Sequence, residues 1–217
     1  GREESGEEFT LDPGLLRRGV QQLAADYDET WGGFGTAPKF PMPQTLLFLF
    51  RWYRRSGEAE SLHMAEHTLA EMAAGGIFDH VGGGFHRYAT DARWRWPHFE
   101  KMLYDQALLC LAYTEAFQIT GKAFYRRVAE KTFAYIIREL RAPEGVFYTA
   151  QDAESEGEEG KYYLWTREEI LDTLGKETGE EFCSRYHINK EGNYPRTIAG
   201  ESRGTDGLNV LYRRKET

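Results

Sequence analysis

The chain has 217 residues, room for one sizeable domain or two small ones, and 41% of them are apolar, enough for a real core. A formal charge of −8 excludes a nucleic-acid partner, which needs clustered Lys and Arg. No apolar run approaches the roughly 20 residues that span a bilayer, so no membrane helix is expected.

Residues 1–10, GREESGEEFT, are acidic and polar, unlike a secretory leader. They read as a linker or disordered segment, and residues 11–217 as one domain. A first helix is expected from Pro13 to Asp28. Asp12 suits the N-cap, Pro13 the first helical position, and Leu15, Leu16, Val20 and Leu23 form a helical stripe. The loop TWGGFGTAPKFPMP then ends any helix. Helices follow over Gln44–Arg55 and Ala59–Ala74. The next loop, GGIFDHVGGGFHRYATDARWRWPH, alternates glycines with bulky residues and predicts one or two short strands.

A long helix is predicted from Pro97 to Ile119. Its middle, Ala107 to Ala112, is apolar nearly all round and so should be buried on every side. Its first turns carry His98, Glu100, Lys101, Asp105 and Gln106, and a polar end on a buried helix points to a cavity. A further helix spans Ala123–Leu140. The loop from Ala142 to Trp165 holds two β-like runs, GVFYTA and KYYLW, around the acidic turn DAESEGEEG. Thr166 and Glu169 form a capping box for a helix ending at Leu174. Another helix covers Glu177–Tyr186, and a final strand Leu208–Tyr212.

Three loops resemble one another: Gly32-Gly33-Phe34-Gly35, Gly83-Gly84-Phe85-His86 and Glu144-Gly145-Val146-Phe147. Their phenylalanines, at positions 34, 85 and 147, are 51 and 62 residues apart, and each interval holds about two helices. This is a repeat of helical hairpins with a decorated loop at one end. The expected fold is all-α, a partial (α/α)6 toroid with short β-like runs in its loops.

Chemistry concentrates in FDHVGGGFHRYATDARWRWPHFEKMLYDQ. His86 and His98 are acid–base candidates, since histidine titrates near neutrality. Glu100, Asp105 and, in the third loop, Asp152 are carboxylate candidates for glycoside hydrolysis, which uses a pair. Tyr88, Trp94 and Trp96 offer flat faces for a sugar ring. Phe34, Lys39 and Arg87 complete the expected substrate contacts, with Lys39 the obvious cation near the cleft. Each has a plainer reading: capping and ion pairs for the acids, structural hydrogen bonds for the histidines, a surface position for the lysine. The acidic turn with Glu154, Glu156, Glu158 and Glu159 reads equally as solvated, and its spacing does not fit an EF-hand.

No metal or cofactor motif is present. His80, His86 and His98 lack zinc spacing and HExxH is absent. His63 and His67, at i, i+4, read as an exposed helical face. Cys110, in LLCLAY, reads as packing, and Cys183 lies in an acidic helix. Without CxxC no zinc or redox site is signalled, which fits a reducing, cytoplasmic compartment.

GGFGTAPKFP, then GGIFDHVGGGFHRYATDARWRWPHFEKMLYDQA, then FYTAQDAESEGEEGKYYLW resemble the spermatogenesis-associated, thioredoxin-like protein family, as does the later EGNYP…GLNVLY. The match covers roughly residues 25–212. The resemblance implies an N-terminal thioredoxin-like domain followed by a six-hairpin toroid similar to N-acylglucosamine 2-epimerases and six-hairpin glycosidases. This chain shows no thioredoxin-like segment and about half a ring, and so reads as a fragment whose unpaired edge favours self-association. The expected function is sugar processing, of epimerase, isomerase or glycosidase type. The alternative is a noncatalytic module serving a thioredoxin-like domain. Loops converging on one cleft favour the enzyme, and loops filled by their own Trp side chains favour the module.

Overall fold

The computed structural model describes Asp12 and residues 14–195, 197–198, 201–202 and 205–213. The expected linker at 1–10 and the Pro13 helix start lie outside these residues. Seven helices are described: α1 (Gly14–Asp26), α2 (Pro43–Ser56), α3 (Ala59–Ala74), α4 (Leu103–Thr120), α5 (Ala123–Tyr135), α6 (Arg167–Leu174) and α7 (Lys176–Arg185). A π-helical turn, Ile136–Leu140, continues α5 to the predicted end. Asp12 accepts the Gly14 N–H at 2.7 Å, so the predicted cap is in place.

The connections inside the two hairpins α2–α3 and α4–α5 are tight. Gly57 and Gly121 end α2 and α4 in the left-handed region and donate to Tyr53 O and Phe117 O. Helix α2 packs on both α3 and α4, and α4 on α5. One core joins them, with Leu46, Leu49 and Phe50 from α2, Met64 and Leu69 from α3, Leu109 and Tyr113 from α4, and Tyr125 and Val128 from α5. Each such side chain contributes about 1.5–3 kcal/mol on burial. The Tyr113 hydroxyl is satisfied by Leu69 O at 2.7 Å. Helices α6 and α7 pack on each other around a smaller core of Ile170, Cys183, Tyr186, Ile188 and Leu211. The Thr166–Glu169 capping box starts α6 as predicted.

Two expectations for α4 are corrected. The helix begins at Leu103, not Pro97. Pro97–His98 is drawn into a strand pair with Tyr88–Ala89, and Lys101–Met102 into one with Ala150–Gln151. The partners of the second pairing, such as Lys101 and Gln151, are distant in sequence, so local periodicity does not show it. Nor is the middle of α4 buried all round. Leu109, Cys110 and Ala112 are, but Ala107 is exposed and Leu111 is 52% exposed, in line with the exposed Tyr104 a turn or two earlier. The β-like runs are shorter than expected: only Trp165 of KYYLW is in a strand, where Trp165–Thr166 pairs with Leu208–Asn209.

The glycine-aromatic loops share one backbone design. After α1, Tyr27 bridges Phe34; after α3, Phe78 bridges Phe85; after α5, Arg141 bridges Phe147. In the first two the residue after the bridge is an aspartate. Asp28 Oδ1 accepts the N–H groups of Thr30 and Trp31, and Asp79 Oδ1 those of Val81 and Gly82. Each Oδ2 accepts from a buried lysine. Lys39 Nζ reaches Asp28 at 2.5 Å and Gly32 O at 2.8 Å; Lys101 Nζ reaches Asp79 at 2.8 Å and Gly83 O at 2.9 Å. Lys39 is therefore not a cleft cation: its side chain is fully enclosed, and the expectation is corrected. The third loop has Ala142 at the aspartate position, which explains why its repeat looks weak.

The second glycine of each GGF string lets a ring pack on the backbone. A Cβ on Gly33 would lie 2.5 Å from Trp94 Cζ2, and one on Gly84 2.6 Å from Tyr135 Cδ1. Trp94 is thus a core residue, 0% exposed, its Nε1 donating to Trp31 O. The expectation that it stacks on a sugar is overturned.

Candidate functional site

The same lysines align the loops. Lys39 and Ala89 exchange backbone hydrogen bonds of 2.8 and 2.9 Å, which sets the first loop against the second. Lys101 and Met102 pair with Gln151 and Ala150, which sets the second against the third. The three loops meet at the N-terminus of α4.

A polar cluster forms there. Arg87 donates to Glu100 Oε2 at 2.8 Å, and its N–H to Glu100 O at 2.8 Å. That contact holds the guanidinium above its ordinary pKa. Glu100 Oε2 lies 3.8 Å from His98 Nε2, and on the other ring nitrogen Glu159 Oε1 is 2.6 Å from Nδ1. His98 is thereby held between two carboxylates. Its ring stacks on Tyr88 at 5.0 Å, and Tyr88 lies 4.9 Å from Phe40 of the first loop. Glu159 arrives on the hairpin Glu154–Ser155/Glu158–Glu159, turned by Glu156 and Gly157, both at positive φ.

Asp105, in the first turn of α4, is buried, and its Oδ2 has no hydrogen-bond partner among the described residues. Burial pushes its pKa up to about 6, Arg87 pulls it down and Glu100 pushes it up. The cluster therefore holds a carboxylate fixed by arginine, a histidine within reach of it, and a second acid whose pKa burial raises to about 6. Divergent environments of this kind separate the roles of acid and base.

No family model matches the chain. Human spermatogenesis-associated protein 20 is 43% identical over 90% of the chain. The chain is a homologue of spermatogenesis-associated protein 20. It spans 28% of that relative's length, so the longer homologue carries additional chain beyond this region. Among solved structures, a sugar epimerase from a ruminal bacterium is similar with TM-score 0.57 and 17% identity, over 76% of this chain and 51% of that one. Cellobiose 2-epimerase from Bacillus thermoamylovorans gives 0.55 and 18%, over 68% and 43%. The fold of this homologue of spermatogenesis-associated protein 20 is thus a partial six-hairpin (α/α)6 toroid. No helix among the described residues is long and apolar enough to cross a membrane.

Of the residues singled out from sequence, this spermatogenesis-associated protein 20 homologue brings Arg87, Tyr88, His98, Glu100 and Asp105 together. It does not bring the others. His86 is buried beside a cavity of about 290 Å³ lined by Phe78, Phe99 and Tyr163. Its Nδ1 faces Phe99 O at 2.9 Å, so that nitrogen carries the hydrogen. Burial, then the Lys101 charge, lowers its pKa to about 3, and it stays neutral. Asp152, expected to point inward, is exposed and accepts the Glu154 N–H at 3.1 Å. Trp96 is half-buried with Nε1 on Asn193 O, and Phe34 packs half-buried against Tyr27.

Asp105 gives a stability prediction. Its folded pKa lies above the unfolded value near 3.8. The proton therefore stabilises the fold below that value, and the gain is lost as pH rises through about 6. The loss is on the order of 2 kcal/mol. In urea titrations Asp105→Asn is expected to flatten this decline and to be the more stable protein in mildly alkaline buffer. Parallel pH profiles for the two proteins would contradict the assignment.

Proposed function

We propose that the α4 cluster is an acid–base site acting on a sugar, of epimerase or isomerase type. The observation that carries the reading is Glu100, fixed by Arg87 and 3.8 Å from His98, with the buried Asp105 carboxyl beside them. In this reading His98 donates its Nδ1–H to Glu159, and its Nε2 takes the proton from the carbon next to a sugar carbonyl, with Glu100 at 3.8 Å facing the imidazolium that forms. Asp105 gives a proton to the carbonyl oxygen as the enediol forms. Phe40 and Tyr88 offer apolar faces to the ring. The fold likeness to the two epimerases agrees with this reading but does not assign the chemistry. The test is proton NMR in heavy water with mannose, glucose and N-acetylhexosamines. Deuterium should enter at the carbon next to the carbonyl, and His98→Asn or Glu100→Gln should stop it. No exchange and no binding by the wild-type chain or the longer homologue, at millimolar sugar, would sink the reading.

The second reading is a noncatalytic module for a thioredoxin-like domain in the cytoplasm. It is favoured by Trp94, which fills the space between the first two loops. It requires His98→Asn and Glu100→Gln to leave partner binding and cellular function intact.

A further inference from the structure

We infer that a second cleft, sharing no residue with the α4 cluster, binds a compact anion bearing phosphoryl or carboxylate groups. Arg93, Arg95 and Arg213 line a cleft of about 330 Å³ between the second loop and the chain after α7. Elsewhere in this acidic chain arginines such as Arg51, Arg87 and Arg167 sit on carboxylates. Among the described residues, these three have no carboxylate within ion-pair reach. The nearest acid in sequence, Asp91, is engaged otherwise: its carboxylate accepts the backbone N–H groups of Arg93, Arg95 and Trp96 at 3.0, 2.9 and 2.9 Å.

The guanidinium groups are held by rings. Arg93 lies 5.2 Å over Trp31, and Arg95 lies between Trp31 at 5.7 Å and Tyr212 at 4.8 Å. Stacking fixes the plane of a guanidinium and leaves its N–H edge for a ligand. His187 stacks on Tyr212 at 4.7 Å, so that ring is covered as well. With both aromatic faces occupied, recognition falls to charge and hydrogen bonding, not to stacking on a ligand ring. Glu71 also lines the cleft, 3.5 Å from His67, and leaves an excess of positive charge. Planar, forked donors in this number match the oxygens of a phosphoryl or carboxylate group.

The experiment is calorimetric titration with pyrophosphate and, separately, citrate, in chloride buffer of constant ionic strength. At least one should bind saturably. The Arg93→Gln/Arg213→Gln double variant removes two exposed guanidinium groups and should weaken binding roughly tenfold to a hundredfold with an unchanged circular dichroism spectrum. Arg95→Lys, which keeps the charge but loses the fork, should also weaken it. Preference for pyrophosphate assigns a phosphoryl ligand, and preference for citrate a carboxylate. No saturable binding of either, or equal binding by wild type and double variant, overturns the inference.

Discussion

Asp79→Ala is expected to destabilise the fold by roughly 3–5 kcal/mol, because it strands the charge of a lysine whose side chain is almost fully buried. The Lys101 side chain is 1% exposed and that of Asp79 10%. Burial lowers the lysine pKa against the pull of Asp79, while burial of Asp79 is outweighed by the charge and hydrogen bond of Lys101, which hold the carboxylate below its usual range. The short contact and the depressed carboxylate mark the pair as ionised. Without Asp79 the ammonium keeps Gly83 O and the faces of Tyr135 and Tyr163, at 4.3 and 4.8 Å. The turn also loses its acceptor for Val81 and Gly82. Urea midpoints read the effect. The double variant Asp79→Asn/Lys101→Met removes both charges and should cost less than half as much, since a stranded charge costs more than a missing pair. A cost for Asp79→Ala within about 1 kcal/mol would place Lys101 in contact with solvent and refute the clip. Asp28→Ala should behave alike but more mildly, because the Asp28 side chain is 22% exposed.

That pair shows where sequence reading succeeded and where it stopped. The helices are legible where their cause is local: the Asp12 cap and the Thr166–Glu169 box act within a turn. The repeat is legible as Gly-aromatic loops, and its working part is the aspartate that precedes the glycines in the first two. DETWGGF and DHVGGGF both place Asp six residues before the phenylalanine. The lysines were harder. Lys39 follows Asp28 by 11 positions and Lys101 follows Asp79 by 22, so no fixed spacing links donor to acceptor. Lys39 therefore reads from sequence as a cation near the cleft, whereas the backbone bridge to Ala89 and the bond to Asp28 enclose it.

The site was legible in part for the same reason. His98, Glu100 and Asp105 are close in sequence, and their density alone drew attention to them. The spacing of His98 and Glu100 is not helical, because pairing with Tyr88–Ala89 and Ala150–Gln151 draws Pro97–His98 and Lys101–Met102 into strands. Extended geometry is what puts His98 and Glu100 on one side together, at alternate positions. Glu159, not Asp152, faces His98, because which acid of an acidic turn points inward depends on hairpin register. A Glu-Gly turn gives a weaker signal for that register than Asn-Gly or Asp-Gly.

Gly84→Ala is the other large effect expected, roughly 2–4 kcal/mol, and it tests the packing that makes the loops rigid. Two costs combine. Gly84 has φ of 79°, where a side chain is disfavoured by about 1–2 kcal/mol. The new Cβ would also lie 2.6, 2.9 and 3.0 Å from three atoms of the Tyr135 ring. Tyr135 cannot turn aside cheaply: it is 2% exposed and its hydroxyl donates to Gln151 at 2.7 Å. Gly121→Ala separates the two costs, because φ there is 70° and nothing lies within 4 Å of the added atom. It should show the backbone cost alone. Gln151 pairs with Lys101, so a displaced Tyr135 also disturbs the strand that sets the third loop, and with it Glu159, against His98. Gly84→Ala is therefore expected to perturb the His98 imidazole signals in a histidine-labelled NMR spectrum, and Gly121→Ala to leave them in place. Equal unfolding midpoints for the two variants would mean that Tyr135 yields freely and that the loop glycines serve the turn, not the packing.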